Sequence, residues 1–263
     1  MMNQTIFFRL FLIVKILGVF LVCGCVYAQG SAGSEATFEP RYLIDLPTAG
    51  IIPHGNLALD MEFYQEDGVL STLSIGAFNR LVLGVSFGGS HIIGTDKPVW
   101  NSTPGIAIRF RLIEETIMLP AIALGFDSQG KGAYIDQLSR YTIKSLGFYA
   151  VASKNYKVMG FLSLHGGINY SLERADGNDS PNFFVGIEKT LGPIISCYGE
   201  YNLGSNDSNG DALGRGRGYM NIGFRMSVGK GFSLGLNLKD IIQNQQEISI
   251  GNRTLMLEYV QPL

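Results

Sequence analysis

The sequence predicts an all-β fold, a closed antiparallel up-and-down transmembrane β-barrel of about 12 strands with a water-facing interior. Three observations predict it. From residue 55 onward, segments of about nine to eleven residues alternate apolar and polar side chains, the length of a tilted strand that crosses a bilayer. The connections between these segments alternate between tight turns and long polar loops. Charged residues make up only 16% of the chain and glycine occurs 34 times. Beyond the N-terminus no apolar run is long enough for a spanning helix, and a sheet crosses lipid only when it closes on itself.

Residues 1–28 read as a signal peptide. Arg9 and Lys15 supply the positive region, Ile16–Gly24 the short apolar one, and Val26-Tyr27-Ala28 a cleavage site before Gln29. Lys15 interrupts the apolar stretch, which argues against a retained helix. An alternative is a lipobox at Val22-Cys23-Gly24-Cys25, which would acylate Cys25. Residues 29–54 are then a periplasmic lead segment, of which Arg41–Pro53 either plugs the lumen or leads into the first strand, and 55–263 the barrel. Cleavage leaves Cys197 as the single cysteine, so no disulfide framework is expected. The net charge of −2 gives no basic surface for nucleic acid.

The strands are expected near 55–65, 68–78, 81–90, 104–114, 116–127 and 141–153, then 157–171, 181–190, 193–203, 217–228, 231–240 and 252–261. In the first, Leu57, Leu59, Met61 and Phe63 oppose Asn56, Ala58, Asp60 and Glu62. In the fourth, Ile106, Ile108, Phe110 and Leu112 oppose Gly105, Ala107, Arg109 and Arg111. Met220, Ile222, Phe224 and Met226, and later Phe232, Leu234, Leu236 and Leu238, repeat the pattern. A helical period fits none of them. Short turns fall at Asn79-Arg80, Glu114-Glu115, Lys154–Tyr156, Leu191-Gly192 and Gly229–Gly231. Long polar loops fall at Ser90–Thr103, Ser128–Arg140, Glu173–Ser180, Gly204–Gly216 and Ile241–Gly251.

A soluble β-sandwich also alternates, with the apolar face turned inward. Strands about twice the usual globular length of five to six residues argue against it. So do full charges at mid-strand, which a dry core rejects. Aromatic residues near strand ends, such as Phe87, Tyr141, Tyr170, Phe183, Tyr219 and Tyr259, suit interfacial girdles.

The polar faces carry Asp60, Glu62, Glu188, Glu200 and Glu258 opposite Arg109, Arg111, Arg225 and Lys239. One reading is a structural ladder of ion pairs between neighbouring strands. The other is a constriction that selects solutes by charge and size. Arg109 and Arg111 share a face and are spaced to hold a carboxylate or acidic sugar, with inward Tyr198 and Tyr219 available to stack on sugar rings. Arg215 and Arg217, in Gly214–Gly218, read as an external loop attracted to lipopolysaccharide phosphates or acidic polysaccharide. No spacing of His54, His91 and His165 suits a metal, and no cofactor is expected. Ser163 and His165 share a face, but their order is the reverse of that in outer-membrane phospholipases.

Leu46-Pro47-Thr48-Ala49-Gly50, Arg111–Glu115, Leu119–Gly130 and Tyr149–Asn155 are strand-and-turn phrases. Over about residues 43–160 they resemble the YjbH-like outer-membrane proteins associated with exopolysaccharide export. The resemblance implies a barrel and a link to polysaccharide secretion, and it implies no particular site residue. The expected protein is therefore a non-enzymatic channel or accessory for solute or exopolysaccharide transport in a Gram-negative outer membrane. Its expected partners are outer-membrane lipids, lipopolysaccharide, polar solutes and the barrel-assembly machinery. The alternative is a structural or adhesive barrel, its lumen plugged by charge pairs and its external loops functional. A lipid hydrolase is the third reading.

Overall fold

The computed structural model describes residues 33, 34, 36, 38–229, 231–246 and 252–263. The signal peptide and the Cys25 alternative lie outside the described residues. Fifteen strands are described. They are β1 (Asn56–Tyr64), β2 (Gly68–Ala77), β3 (Leu81–Ser90), β4 (Val99–Trp100) and β5 (Gly105–Ile113). β6 (Ala121–Asp127), β7 (Lys131–Ile135), β8 (Arg140–Ile143), β9 (Gly147–Lys157) and β10 (Phe161–Tyr170) follow. The last five are β11 (Asn182–Thr190), β12 (Ile195–Asn202), β13 (Tyr219–Gly229), β14 (Phe232–Lys239) and β15 (Asn252–Pro262).

All but β4, β7 and β8 form one antiparallel ring of 12 strands, in chain order. It closes where β1 pairs with β15, Asn56 opposite Pro262. Such closure leaves no unpaired edge. β4 is a two-residue addition to the end of β3, and β7 and β8 form a separate ribbon. The strand ends define two rims. One carries the tight turns and both ends of the barrel segment, and the other carries the long loops.

The faces are inverted relative to a soluble sheet. Outward Val85, Ile106, Phe224 and Leu236 are more than half exposed, whereas inward Arg109, Glu200 and Arg225 are less than 5% exposed. A sandwich core does not take this arrangement, and an exposed apolar belt of this extent needs lipid against it. No helix among the described residues is long and apolar enough to cross a membrane.

The strand expectations need four adjustments. The segment expected as one strand over 116–127 begins only at Ala121, because Pro120 cannot donate to a ladder and Thr116–Leu119 form a turn. The strand expected over 141–153 is β9, which runs from Gly147 to Lys157, and residues 140–143 belong to the loop ribbon. Its turn lies at Val158–Gly160 rather than at 154–156, fixed by left-handed Met159 and Gly160. The turn expected at Asn79-Arg80 centres on Phe78 and Asn79, both left-handed, as a two-residue hairpin connection requires.

The barrel is not hollow. Residues 38–53 enter from the turn rim, rise to a tip at Asp45 and return as a tight hairpin. The Leu43 amide donates to the Leu46 carbonyl at 3.0 Å and the Thr48 amide to the Arg41 carbonyl at 3.0 Å. Its apolar side chains pack on small wall residues. Leu46 and Ala49 meet Ala121, Ala123 and Val151, and Ile51 and Ile52 meet Ala58, Val82 and Val260. Inward glycines make the space. A Cβ at Gly186 would lie 2.3 Å from Leu43 Cδ1, and one at Gly76 would lie 2.3 Å from the Ile52 and Pro53 carbonyl oxygens.

Candidate functional site

The strand period turns all nine wall charges inward, and the hairpin determines what each of them meets. Arg41 reaches Asp60 and Glu258, each at 2.6 Å. Lys239 pairs with hairpin Asp45 at 2.6 Å and also with Glu62. Glu200 accepts the backbone amides of Ile44, Asp45 and Leu46 at 2.9–3.1 Å, and the Asn221 side chain at 2.8 Å. Arg109 donates to the Gly50 carbonyl and to the Tyr149 hydroxyl, both at 2.9 Å, with Tyr42 stacked on its guanidinium. Arg111 donates to the Ala49 carbonyl and pairs with Glu39. Arg225 donates to the Tyr42 and Leu43 carbonyls at 3.1 and 3.0 Å, and Glu188 adds a nearby negative charge.

The wall is therefore not mainly a ladder between neighbouring strands. Most of its charges grip one inserted segment, by ion pairs to its side chains and by hydrogen bonds to its backbone. Paired and hydrogen-bonded in this way, the buried charges avoid the penalty of isolation. Tyr198 is also engaged, its hydroxyl donating to Asn237 at 2.9 Å beneath Arg225. Tyr219 does not face an open lumen, because its hydroxyl donates to loop residue Asp207. Tyr141, expected in an outer girdle, is likewise buried, packed edge-on against Tyr134.

The other rim is capped by the loops. Lys131 on the β7–β8 ribbon reaches down to Glu62 at 3.2 Å. Arg140 is fully buried and pairs with Asp176 and Asp207 at 2.7 and 2.6 Å, while Lys144 pairs with Asp176 at 2.8 Å. Burial raises the Asp207 carboxyl, but Arg140, the Tyr219 hydroxyl and the Leu213 amide outweigh it and hold Asp207 below the usual range. Burial pushes the Lys144 ammonium down. Arg215 and Arg217 are exposed, and Asn244 fastens their backbone, its side-chain oxygen accepting both amides at 3.0 and 2.7 Å.

Between hairpin and cap the remaining space includes cavities of about 50 and about 30 Å³, room for a few waters. His165 lies inside the lumen, its Nδ1 2.8 Å from the Ser153 hydroxyl, which also accepts the Ala49 amide. Ser163 bonds Asn155 and not His165. This histidine faces the hairpin, away from lipid. Among the described residues, no group of three or more His, Cys, Asp or Glu converges as for a metal.

The sequence reading missed Glu39, Arg41 and Asp45 as partners of the wall. The available signal was three charges bracketing the apolar Leu43, Ile44, Leu46 and Pro47 in a segment with no strand period.

No family model matches the chain, and no curated protein matches it. Solved structures do. A KdgM porin in complex with disordered oligogalacturonate is similar at 10% identity, over 78% of this chain and 98% of that chain, with a TM-score of 0.49. The NanC porin is similar at 6% identity, over 79% and 99%, with a TM-score of 0.42. An outer-membrane channel from Pseudomonas putida F1 is similar at 11% identity, over 84% and 100%, with a TM-score of 0.40.

Proposed function

We propose that the protein is an outer-membrane barrel that acts as a gated conduit for polar solutes, with its own 38–53 hairpin as the plug. The outward apolar belt supports insertion in lipid. The long loops then face the outside and the turns the periplasm. One observation carries the gating. The wall charges are matched to a segment that runs into β1 through only a few residues, and they hold it through polar contacts that water can replace. A lumen lined by Arg109, Arg111, Arg225, Lys239 and five carboxylates rehydrates when the plug leaves, whereas an apolar lumen would stay dry. The resemblance to YjbH-like proteins makes exopolysaccharide the first solute to test.

Planar-bilayer recording tests this reading. Wild type is expected to be mostly silent. Arg41→Ala combined with Asp45→Ala, and separately deletion of 38–50, are expected to give stepwise conductance. Silence in all three would reject the conduit. The structural or adhesive reading would then stand, supported by the rigid cap that Arg140, Asp176 and Asp207 build at the loop rim.

A further inference from the structure

Outside the lumen, a cavity of about 230 Å³ opens at the loop rim. It lies between the ends of β5, β6 and β9, the β7–β8 ribbon and the corner at Leu172-Glu173. It is several times larger than the spaces beside the hairpin and smaller than the usual drug-sized site of about 300–1,000 Å³, which limits an occupant to about one ring. Its apolar surface combines Leu172 with aromatic rings. Tyr134 stands edge-on to Tyr141, ring centroids 5.0 Å apart, and Phe126 packs against Phe148 at 4.9 Å. Its polar surface includes the hydroxyls of Ser128 and Ser139 and the carboxyl of Glu173, which accepts the Tyr141 amide at 3.1 Å. No Lys, Arg or His lines it.

From this set we infer that the pocket binds one uncharged hexose unit of a cell-surface glycan. A pyranose has an apolar C–H face that lies on aromatic rings and a rim of hydroxyls that exchange hydrogen bonds with serines and a carboxylate. An acyl chain would leave Ser139 and Glu173 facing hydrocarbon. An acidic sugar would meet the Glu173 carboxyl in a lining that offers it no cation of its own. The ring can come from a free oligosaccharide or from the headgroup of lipopolysaccharide. The inference does not depend on the lumen conducting.

Calorimetric titration of the purified protein in micelles with methyl glucoside, methyl galactoside and methyl mannoside tests it, with galacturonate as the charged counterpart. At least one neutral glycoside is expected to bind saturably and galacturonate more weakly. Tyr134→Ala is expected to weaken binding about tenfold, and Tyr134→Trp to restore it. Displacement of the glycoside by lipopolysaccharide vesicles assigns the headgroup as source, and its failure assigns the free glycan. No saturable binding, preference for galacturonate, or indifference to Tyr134→Ala would overturn the inference.

Discussion

Gly186 shows how a single residue keeps the lumen filled. It faces inward on β11, and Leu43 occupies the space its missing side chain leaves. Gly186→Val is expected to destabilise the hairpin by about 1–3 kcal/mol through overpacking. The readout is faster proteolysis at Arg41 with the strands still protected. Asp207 responds to pH. Its carboxyl is depressed in the folded cap, so its contribution is fully present above the unfolded value of about 3.9 and is lost as pH falls through the lower folded value. Amide exchange in 204–214 is therefore expected to stay slow at pH 5 and to accelerate only below about pH 3.9. The inward direction of Arg109, Arg111, Arg225 and Glu200 was legible because a strand period of two leaves no choice of face. Their partners were not. The hairpin that satisfies them has no period, and several of its contacts join residues more than 150 apart in sequence, as from Leu46 to Glu200.

At the level of elements, long alternating strands were readable and short ones were not. β4 and β7, two and five residues long, sit in stretches read as polar loops, and β8, four residues long, takes the start of the strand expected over 141–153; in all three, loop context decides pairing more than pattern does. The displaced end of β9 has a similar cause. Lys154, Asn155 and Tyr156 look like a polar turn, yet all three continue the ladder against β10 because Met159 and Gly160 turn the chain later. The β2–β3 turn carries a removable cost. Phe78 adopts φ 55° and Asn79 φ 54°. Replacing the pair by Asn-Gly is expected to raise stability by about 0.5–1 kcal/mol, measured by urea unfolding in micelles.

For the whole molecule, closure dominates. Every strand of the ring has two neighbours, so heat rather than detergent is expected to open it. The protein should sit in the outer-membrane fraction and migrate faster on an unboiled gel than on a boiled one. A soluble periplasmic protein with no mobility shift would remove the membrane reading. The 12-strand count and the alternation of turns and loops were both accessible from sequence, because each strand is bounded by its own connections. The filled interior was legible only as one of two alternatives for Arg41–Pro53, because the choice depends on how a ring encloses a segment that precedes it.

Arg41 has one further consequence. Its guanidinium bonds Asp60 on β1 and Glu258 on β15, the first and last staves of the ring, and Ile51 and Ile52 share a cluster with Ala58 and Val260 on the same two strands. The hairpin is thus a clamp laid across the seam. Joining two ends about 200 residues apart is the slowest contact in such a topology, and a clamp already attached to one end shortens the search for the other. Arg41→Ala is expected to slow the final step of refolding into lipid while leaving the earlier pairing of β9 with β10 unchanged. The chain would then carry, just ahead of its first strand, its own tool for finishing the barrel.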